Sequence, residues 1–570
     1  MHRSRLVDLY GPRRGRKTAD ELDRLLARFR PKLAARKPVA RSGAANDALL
    51  ITYGDTLLGV DQAPLAALRE FALRHLQGRL SGIHLLPFFP YSSDYGFSVK
   101  DYLAVRPDLG SWADVEALNA SFRLMFDFVL NHVSAESSWF QGFLRGDAPY
   151  RDFFIAVDPA TDLSIVTRPR TTPLLTHFDT ALGPRWVWTT FGPDQVDLNY
   201  HNPEVLLRML EVMLTYVERG ADLLRMDAVA YLWKEPGTTC VHLPQTHQVV
   251  KLFRDVLDEV APEAEIVTET NVPHRDNVSY FGDGRDEAQM VYQFPLAPLV
   301  LDAFARGDAE HLAAWAATLD PPSERSAFFN FLASHDGIGV VPARGLLSEP
   351  EIDGLARRVL DHGGQVSDKA NPNGSVSPYE LNATFFDALS DPNDRAEPGS
   401  TKVDRFICSQ AIMLALAGVP GIYIHSLLGS SNDGAGFARS GWKRDLNHQR
   451  LKVAEVETAL SDPATREAQV FARFARLLDV RRQEPAFHPR SGQRLLDAGP
   501  GIFAVARGPR EGQTIVTLHN VTDSPRLASG DWRAGGHGEW EDLISGERFD
   551  RGSAVQLGPY RVLWLQDPRE

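Results

Sequence analysis

Cysteine is nearly absent from the 570-residue chain. Only Cys240 and Cys408 occur, so at most one disulfide can form and a disulfide-stapled scaffold is excluded. A reducing compartment is expected, and with it a cytoplasmic location. Long apolar runs are missing as well: the longest, Ala411 to Ile424, is too short for a bilayer and is broken by Gly418, Pro420 and Gly421, so no transmembrane helix is expected. The N-terminus leads into Arg13-Arg14-Gly15-Arg16-Lys17 rather than into an apolar stretch with a small-residue cleavage site, and no secretory signal is expected. Positive charge is in deficit, with 61 Lys+Arg against 74 Asp+Glu and a formal charge of -13. Repulsion of that size disfavours nucleic acid and anionic membranes as partners. It leaves room for small anions held by a local basic cluster.

What the chain does contain is a recurring alternation. Thr18-Ala-Asp-Glu21 reads as a capping box ahead of Leu22, Leu25, Leu26 and Phe29 at helical spacing, which predicts an amphipathic helix in an N-terminal extension over 1–48. Eight short apolar runs follow, at Leu49–Tyr53, Ile83–Phe88, Arg123–Leu130, Asp222–Asp227, Glu265–Glu269, Gln289–Phe294, Phe328–His335 and Gly421–Ser426, separated by helical patterns. Alternation of this kind predicts an α/β fold, a (β/α)8 TIM barrel over 49–487. Uneven spacing places an inserted subdomain at about 134–195 and a long active-site loop region at about 337–420, which holds the turn-forming stretch Asn371-Pro-Asn-Gly-Ser-Val-Ser-Pro378. From 488 to 570 short β-like runs with Gly and Asp turns predict a C-terminal β-sandwich-like domain.

Barrel enzymes carry their chemistry at the C-terminal ends of the strands. Here those ends read Asp127-Phe-Val-Leu-Asn131-His132, Leu224-Arg225-Met226-Asp227, Thr268-Glu269-Thr270-Asn271 and Ser334-His335-Asp336-Gly337. Asp227, Glu269 and Asp336 come from three different ends. Any one of them alone is equally a helix N-cap. Three carboxylates converging on one pocket raise one another's pKa, so that one stays protonated as an acid while another stays ionised. The histidines stand singly, without the short spacing of a zinc site.

These four segments resemble the signature regions of the α-amylase superfamily of glycoside hydrolases. The run Gly220-Ala-Asp-Leu-Leu-Arg-Met-Asp-Ala-Val-Ala-Tyr231, with His84-Leu-Leu-Pro-Phe-Phe89 and His335-Asp-Gly-Ile-Gly339, is similar to the sucrose phosphorylase subgroup. The resemblance implies Asp227 as nucleophile, Glu269 as general acid/base and Asp336 as transition-state stabiliser. It also implies glucose contacts from Asp94, His132 and His335, with Phe97, Gln195 and Tyr231 as further subsite walls. Arg225, on the same strand face as Asp227, is placed to keep that carboxylate ionised. Many amylases bind calcium through an Asn at the position of Asn131; the phosphorylase subgroup resembles them there without generally needing the ion, and neither metal nor cofactor is expected.

A phosphorylase resolves its glucosyl-enzyme with phosphate and so needs fixed cations, preferably arginine. Arg344, in Pro342-Ala-Arg-Gly345, and Arg444, in Gly441-Trp-Lys-Arg-Asp-Leu-Asn-His448, are the candidates, the second matching a phosphate-binding arginine of the subgroup. Tyr379 matches a tyrosine of its mobile acceptor loop. Glu380 stands where sucrose phosphorylases commonly have Gln, so the fructose-binding pattern is not intact. These segments resemble the members of the subgroup that act on glucosylglycerate. The expected reaction is therefore reversible phosphorolysis of 2-O-α-D-glucosylglycerate to α-D-glucose 1-phosphate and D-glycerate. An arginine beside the acceptor would reward the glycerate carboxylate, and Arg344 is the expected one. Sucrose or glucosylglycerol as substrate are the alternatives within the subgroup, and a non-catalytic amylase-like subunit is the alternative outside it.

Overall fold

The computed structural model describes residues 2–36, 47–371, 374–508, 514–530 and 538–567. Its centre is a closed barrel of eight parallel strands: β1 (Leu49–Thr52), β2 (Gly82–Leu85), β3 (Arg123–Val129), β4 (Ala221–Asp227), β5 (Glu265–Thr268), β6 (Met290–Tyr292), β7 (Ala327–Asn330) and β8 (Val419–Tyr423), each hydrogen-bonded to its sequence neighbours, with β8 closing on β1. Each of the eight anticipated runs contributes one strand. The seventh stops at Asn330 rather than His335: Phe331 and Leu332 are buried in the loop that follows, so apolar character there reports burial and not extended pairing. In the β3–β4 register Asp127 faces Arg225 and Val129 faces Asp227, which puts the polar residues of both strands at the same barrel end.

The first helical element, α1 (His2–Ala35), breaks at Gly11 (φ 77°, ψ 168°), with Pro12 opening the second segment. The two segments fold back on each other, as the contacts of His2 and Arg3 with Asp23 and Asp20 record. A Cβ at Gly15 would stand 2.3 Å from Leu6 O. Thr18 therefore lies inside a helix, its Oγ1 donating to Arg14 O at 2.9 Å, and the expected capping box is not a helix start. The left-handed Gly11 followed by Pro12 makes that start instead. Leu6, Leu22, Leu26, Phe29 and Leu33 are buried against α2 (Pro203–Glu218) and α3 (Pro244–Val260), and Arg5 pairs with Asp255 at 2.8 Å. Residues 37–46 of the anticipated extension lie outside the described residues.

The β3–β4 connection contains two small antiparallel pairs, His132–Ser134 with Gln195–Asp197 and Leu175–Phe178 with Arg185–Trp188. The long connection after β7 contains, besides the helices Glu349–Asp361, Phe385–Leu389 and Gly399–Ala415, paired strands where a loop was anticipated. It forms a three-stranded antiparallel sheet of Ile338–Gly339, Val376–Asn382 and Gln365–Ala370. Pro378 hid it, because proline cannot donate to a ladder; the register shift between Ser367 and Asp368, opposite Pro378, absorbs the missing donor. Pro372 and Asn373 of the anticipated turn lie outside the described residues.

Past the barrel, a six-stranded antiparallel sheet spans Gln493 to Gln566, with a two-stranded sheet of Arg526–Ala528 and Val555–Leu557 beside it. Two buried arginines, Arg507 of this sheet and Arg481 of the preceding helix Arg466–Gln483, converge on the end of the helix Gly399–Ala415. Arg507 donates to Ala415 O at 2.7 Å and Arg481 to Leu414 O at 3.1 Å, a cationic clasp at the negative end of a helix dipole. Both cysteines are buried and free. Among the described residues no helix is long and apolar enough to cross a membrane.

Candidate active site

At the C-terminal mouth of the barrel a cavity gathers Asp227, Glu269 and Asp336 with Asp94, Phe97, His132, Gln195, Arg225, Tyr231, His335, Tyr379, Glu380 and Arg444. All but one of the site residues anticipated from sequence thus line one space. The exception is Arg344. It is not part of the lining; its guanidinium pairs with Glu349 and donates to Pro378 O at 3.4 Å. Arg170, from the β3–β4 connection, stands in the cavity instead, 5.6 Å from the centre of the Tyr379 ring. Phe191 and Asn271 also line it. Nothing in the residues around Arg168-Pro-Arg170 marked that loop as part of the site; only its place over the barrel mouth does.

Arg225 organises the floor. Period-two alternation along β4 points it and Asp227 to the same side, and Nη1 donates to Asp227 Oδ1 at 2.8 Å and also to Asp127, while Nη2 lies 3.9 Å from Glu269 Oε2. Its guanidinium is sandwiched 5.4 Å from both the Phe97 and Tyr292 rings, an arrangement that favours a buried cation. Burial alone would raise the Asp127 carboxyl, but Arg225 and His84, 2.8 Å away, hold it below its ordinary value. Asp127 therefore stays a fixed counter-charge behind the floor.

The two carboxyl groups in front of Arg225 are not equivalent. Burial pushes both up, with Arg225 opposing. Asp227 receives the guanidinium directly, whereas Glu269 is more distant from it and also faces Asp227 and Asp336, which lifts Glu269 to about 7. A proton shared between the two resides on Glu269, and Asp227 stays the anion. Ala228 N donates to Glu269 Oε2 at 3.0 Å and fixes that side chain.

On the opposite wall Arg444 Nη2 lies 2.8 Å from Asp336 Oδ1 and 3.1 Å from Glu380 Oε2, and Nη1 lies 3.6 Å from Asp94 Oδ1. Glu380 Oε1 accepts in turn from Gly337 N at 2.8 Å. A Cβ at residue 337 would meet Leu381 O at 2.5 Å, so only glycine lets the hairpin strand approach the Asp336 loop this closely. The carboxylates raise the Arg444 pKa despite its burial. Arg444 is thus occupied by three carboxylates, while Arg170 has no carboxylate partner among the described residues. His335 stacks on Phe97 with centroids 4.8 Å apart, and burial with the nearby Arg225 drives its pKa well down, leaving the ring neutral.

Asn131 Oδ1 and Asp197 Oδ2 each lie 2.6 Å from Lys234 Nζ. A calcium ion at these oxygens would face a fixed positive charge, so the residues present do not suit one.

Residues 73–337 match the family described as alpha amylase, catalytic domain. A glucosylglycerate phosphorylase of Allomeiothermus silvanus is 54% identical, with 91% of each chain covered. The chain belongs to the glucosylglycerate phosphorylase family, within the α-amylase superfamily. A second relative carrying that name, from Spirochaeta thermophila, is 48% identical over 100% of this chain and 98% of its own, and one from Escherichia coli is 44% identical over 98% and 99%. A sucrose phosphorylase of Agrobacterium vitis is 32% identical over 78% of this chain, so the subgroup resemblance read from the strand ends extends through most of the sequence. Among solved structures, sucrose 6F-phosphate phosphorylase from Thermoanaerobacter thermosaccharolyticum superposes with a TM-score of 0.73 over 91% of this chain and 99% of its own, at 23% identity. That likeness establishes the fold.

Proposed function

We propose that this protein catalyses reversible phosphorolysis of 2-O-α-D-glucosylglycerate, giving α-D-glucose 1-phosphate and D-glycerate with net retention, and that Asp227, Glu269 and Asp336 carry it. Behind this reading stands the unequal pair in front of Arg225: Asp227 receives the guanidinium at 2.8 Å, while burial and the neighbouring carboxylates lift Glu269 to about 7. Asp227 attacks the anomeric carbon as Glu269 gives its proton to the departing glycerate oxygen; the glycosidic C–O bond breaks and a glucosyl ester of Asp227 forms. A phosphate oxygen then attacks the same carbon, its proton passes to Glu269, and the ester carboxylate leaves as Asp227. Two inversions give retention. Asp336, held at Arg444, stabilises the positive charge that develops on the sugar in both steps.

Both leaving group and nucleophile are anions entering a cavity that holds five carboxylates. Arg225 and Arg444 are already neutralised by side chains, so we assign the anionic co-substrates to Arg170, with Tyr379 beneath its guanidinium. In this reading Arg444 orders the wall of the glucose subsite and Arg344 has no part in acceptor binding. The buried free cysteines suit the reducing cytoplasm.

The test is direct. The purified protein is incubated with phosphate and, separately, glucosylglycerate, glucosylglycerol or sucrose, and glucose 1-phosphate is assayed. Turnover of glucosylglycerate well above the other two is expected; comparable turnover of sucrose with none of glucosylglycerate overturns the acceptor assignment.

A further inference from the structure

Lys234 does not line the cavity, yet its side chain is 1% exposed and its ammonium lies 2.6 Å from both Asn131 Oδ1 and Asp197 Oδ2. A buried ammonium is costly unless it is paired. Burial lowers the Lys234 pKa and Asp197 opposes that shift. An ammonium can only donate, so the Asn131 atom facing it is the carbonyl oxygen and the amide nitrogen points away. From there Asn131 Nδ2 reaches Asp197 Oδ2 at 3.1 Å and His132 Nδ1 at 3.1 Å. An amide N–H donates, so His132 Nδ1 accepts. The neutral ring then carries its proton on Nε2, which donates to Phe97 O at 3.0 Å. Gln195 Nε2 lies 3.2 Å from His132 Nε2, but this amide nitrogen donates to Asp94 Oδ2 at 3.0 Å; two donors facing each other form no bond.

We infer that Lys234 is a positioning residue for the active site: its ammonium and the Asp197 carboxylate it holds orient the Asn131 amide, which together with Phe97 O fixes the Nε2–H tautomer and the placement of the His132 ring. Every link in the chain has a single polarity. Asp197, the other partner of the ammonium, is anchored by Thr190 N and Thr190 Oγ1, each at 2.7 Å. Lys234 thus gathers the end of β3, the inserted segment and the loop after β4 around one buried charge. A histidine whose tautomer is set by the partner of its other nitrogen presents a defined donor or acceptor to its surroundings.

Two variants and two readouts test this, and only the kinetic one rests on the phosphorylase reading. In protein labelled with 15N-histidine, the His132 ring signals, assigned by their loss in His132→Gln, should report an Nε2–H tautomer in the wild type. Lys234→Met takes away the charge that holds both the Asn131 oxygen and Asp197 in place, and a mixture of tautomers is expected with kcat/KM for phosphorolysis down about tenfold. In Lys234→Ala, n-propylammonium replaces the missing carbons and charge and should restore tautomer and rate together. Asn131→Asp keeps the lysine pair but removes the N–H aimed at His132 Nδ1, so the tautomer should change in that variant too, whatever the stability of the lysine variants. A wild-type tautomer in Asn131→Asp, or loss of activity in Lys234→Met only in proportion to unfolded protein, overturns the inference. Absence of glucose 1-phosphate from the wild type would instead strike the phosphorylase reading, with the ring signals still deciding the role of Lys234.

Discussion

Glu380 grips Arg444 edge to edge: Oε1 accepts from Nε at 3.2 Å and Oε2 from Nη2 at 3.1 Å. The same Nη2 holds Asp336 at 2.8 Å. The hairpin after β7 therefore contributes a buried negative charge to the wall of a cavity that must admit anions. One charge acting over ~10 Å at an effective dielectric of about 40 is worth roughly 0.8 kcal/mol, or about fourfold in binding. Glu380→Gln, which keeps an oxygen acceptor and drops the charge, should lower the KM for phosphate by about that factor. Thermal stability should fall by less than the ~3–5 kcal/mol of an orphaned buried charge, because Asp336 still holds Arg444. Initial rates at varied phosphate together with melting curves measure both; a phosphate KM that rises would mean that Glu380 aids anion binding.

Asp227 receives the Arg225 guanidinium at 2.8 Å at the barrel floor. Asp227→Ala should abolish glucosyl transfer to phosphate and to water alike, by roughly 10^4-fold or more, as expected when a covalent nucleophile is removed. Release of glucose 1-phosphate and of free glucose are followed side by side. Retained hydrolysis would remove Asp227 as the nucleophile.

The barrel and most of the site were legible in the sequence because both leave a local signal. Strands such as Ala221–Asp227 are apolar runs that end in charge, and the charged end of a barrel strand is where chemistry sits. Arg225 and Asp227 share a face by simple alternation. The misreadings occur where the decisive contact is distant in sequence. Arg344 follows the Asp336 loop closely and so looked like an acceptor residue, but the backbone there carries it outward to Glu349. Arg170 stands over the ring of Tyr379, which is far away in sequence, and sits in a loop without periodicity. Pro378 argues against a strand that a register shift accommodates, and Thr18 resembles a cap although the helix segment that holds it begins seven residues earlier, at the Gly11 break.

Arg170 and Arg344 separate cleanly by mutation. A charge-assisted hydrogen bond to an anion is worth about 1.5–3 kcal/mol, so Arg170→Ala should raise the KM for phosphate and, in the synthetic direction, for glycerate by roughly 10- to 100-fold. Arg344→Ala breaks a partly exposed pair with Glu349 and a long bond to Pro378 O and should leave both constants within about twofold. Kinetics of the two variants in both directions decide the matter; the opposite ordering would return the acceptor role to Arg344.

Glu269 makes activity and stability fall together as pH rises. With its pKa near 7, lifted by burial and by the neighbouring carboxylates against Arg225, the acid form needed to protonate the departing glycerate is lost as pH rises through that value, and kcat/KM for glucosylglycerate should fall there. The folded pKa also lies above the ordinary 4.5, so between the two values the folded chain holds a proton that the unfolded chain has released. Stability supplied by this group is present below about pH 4.5 and is lost as pH rises through about 7. Glu269→Gln carries no such charge. Its melting temperature relative to wild type should therefore increase from about pH 5 to about pH 8 while its phosphorolysis of glucosylglycerate is lost. Melting curves across that range measure the difference; one that stays constant would mean that Glu269 is ionised throughout and cannot be the acid.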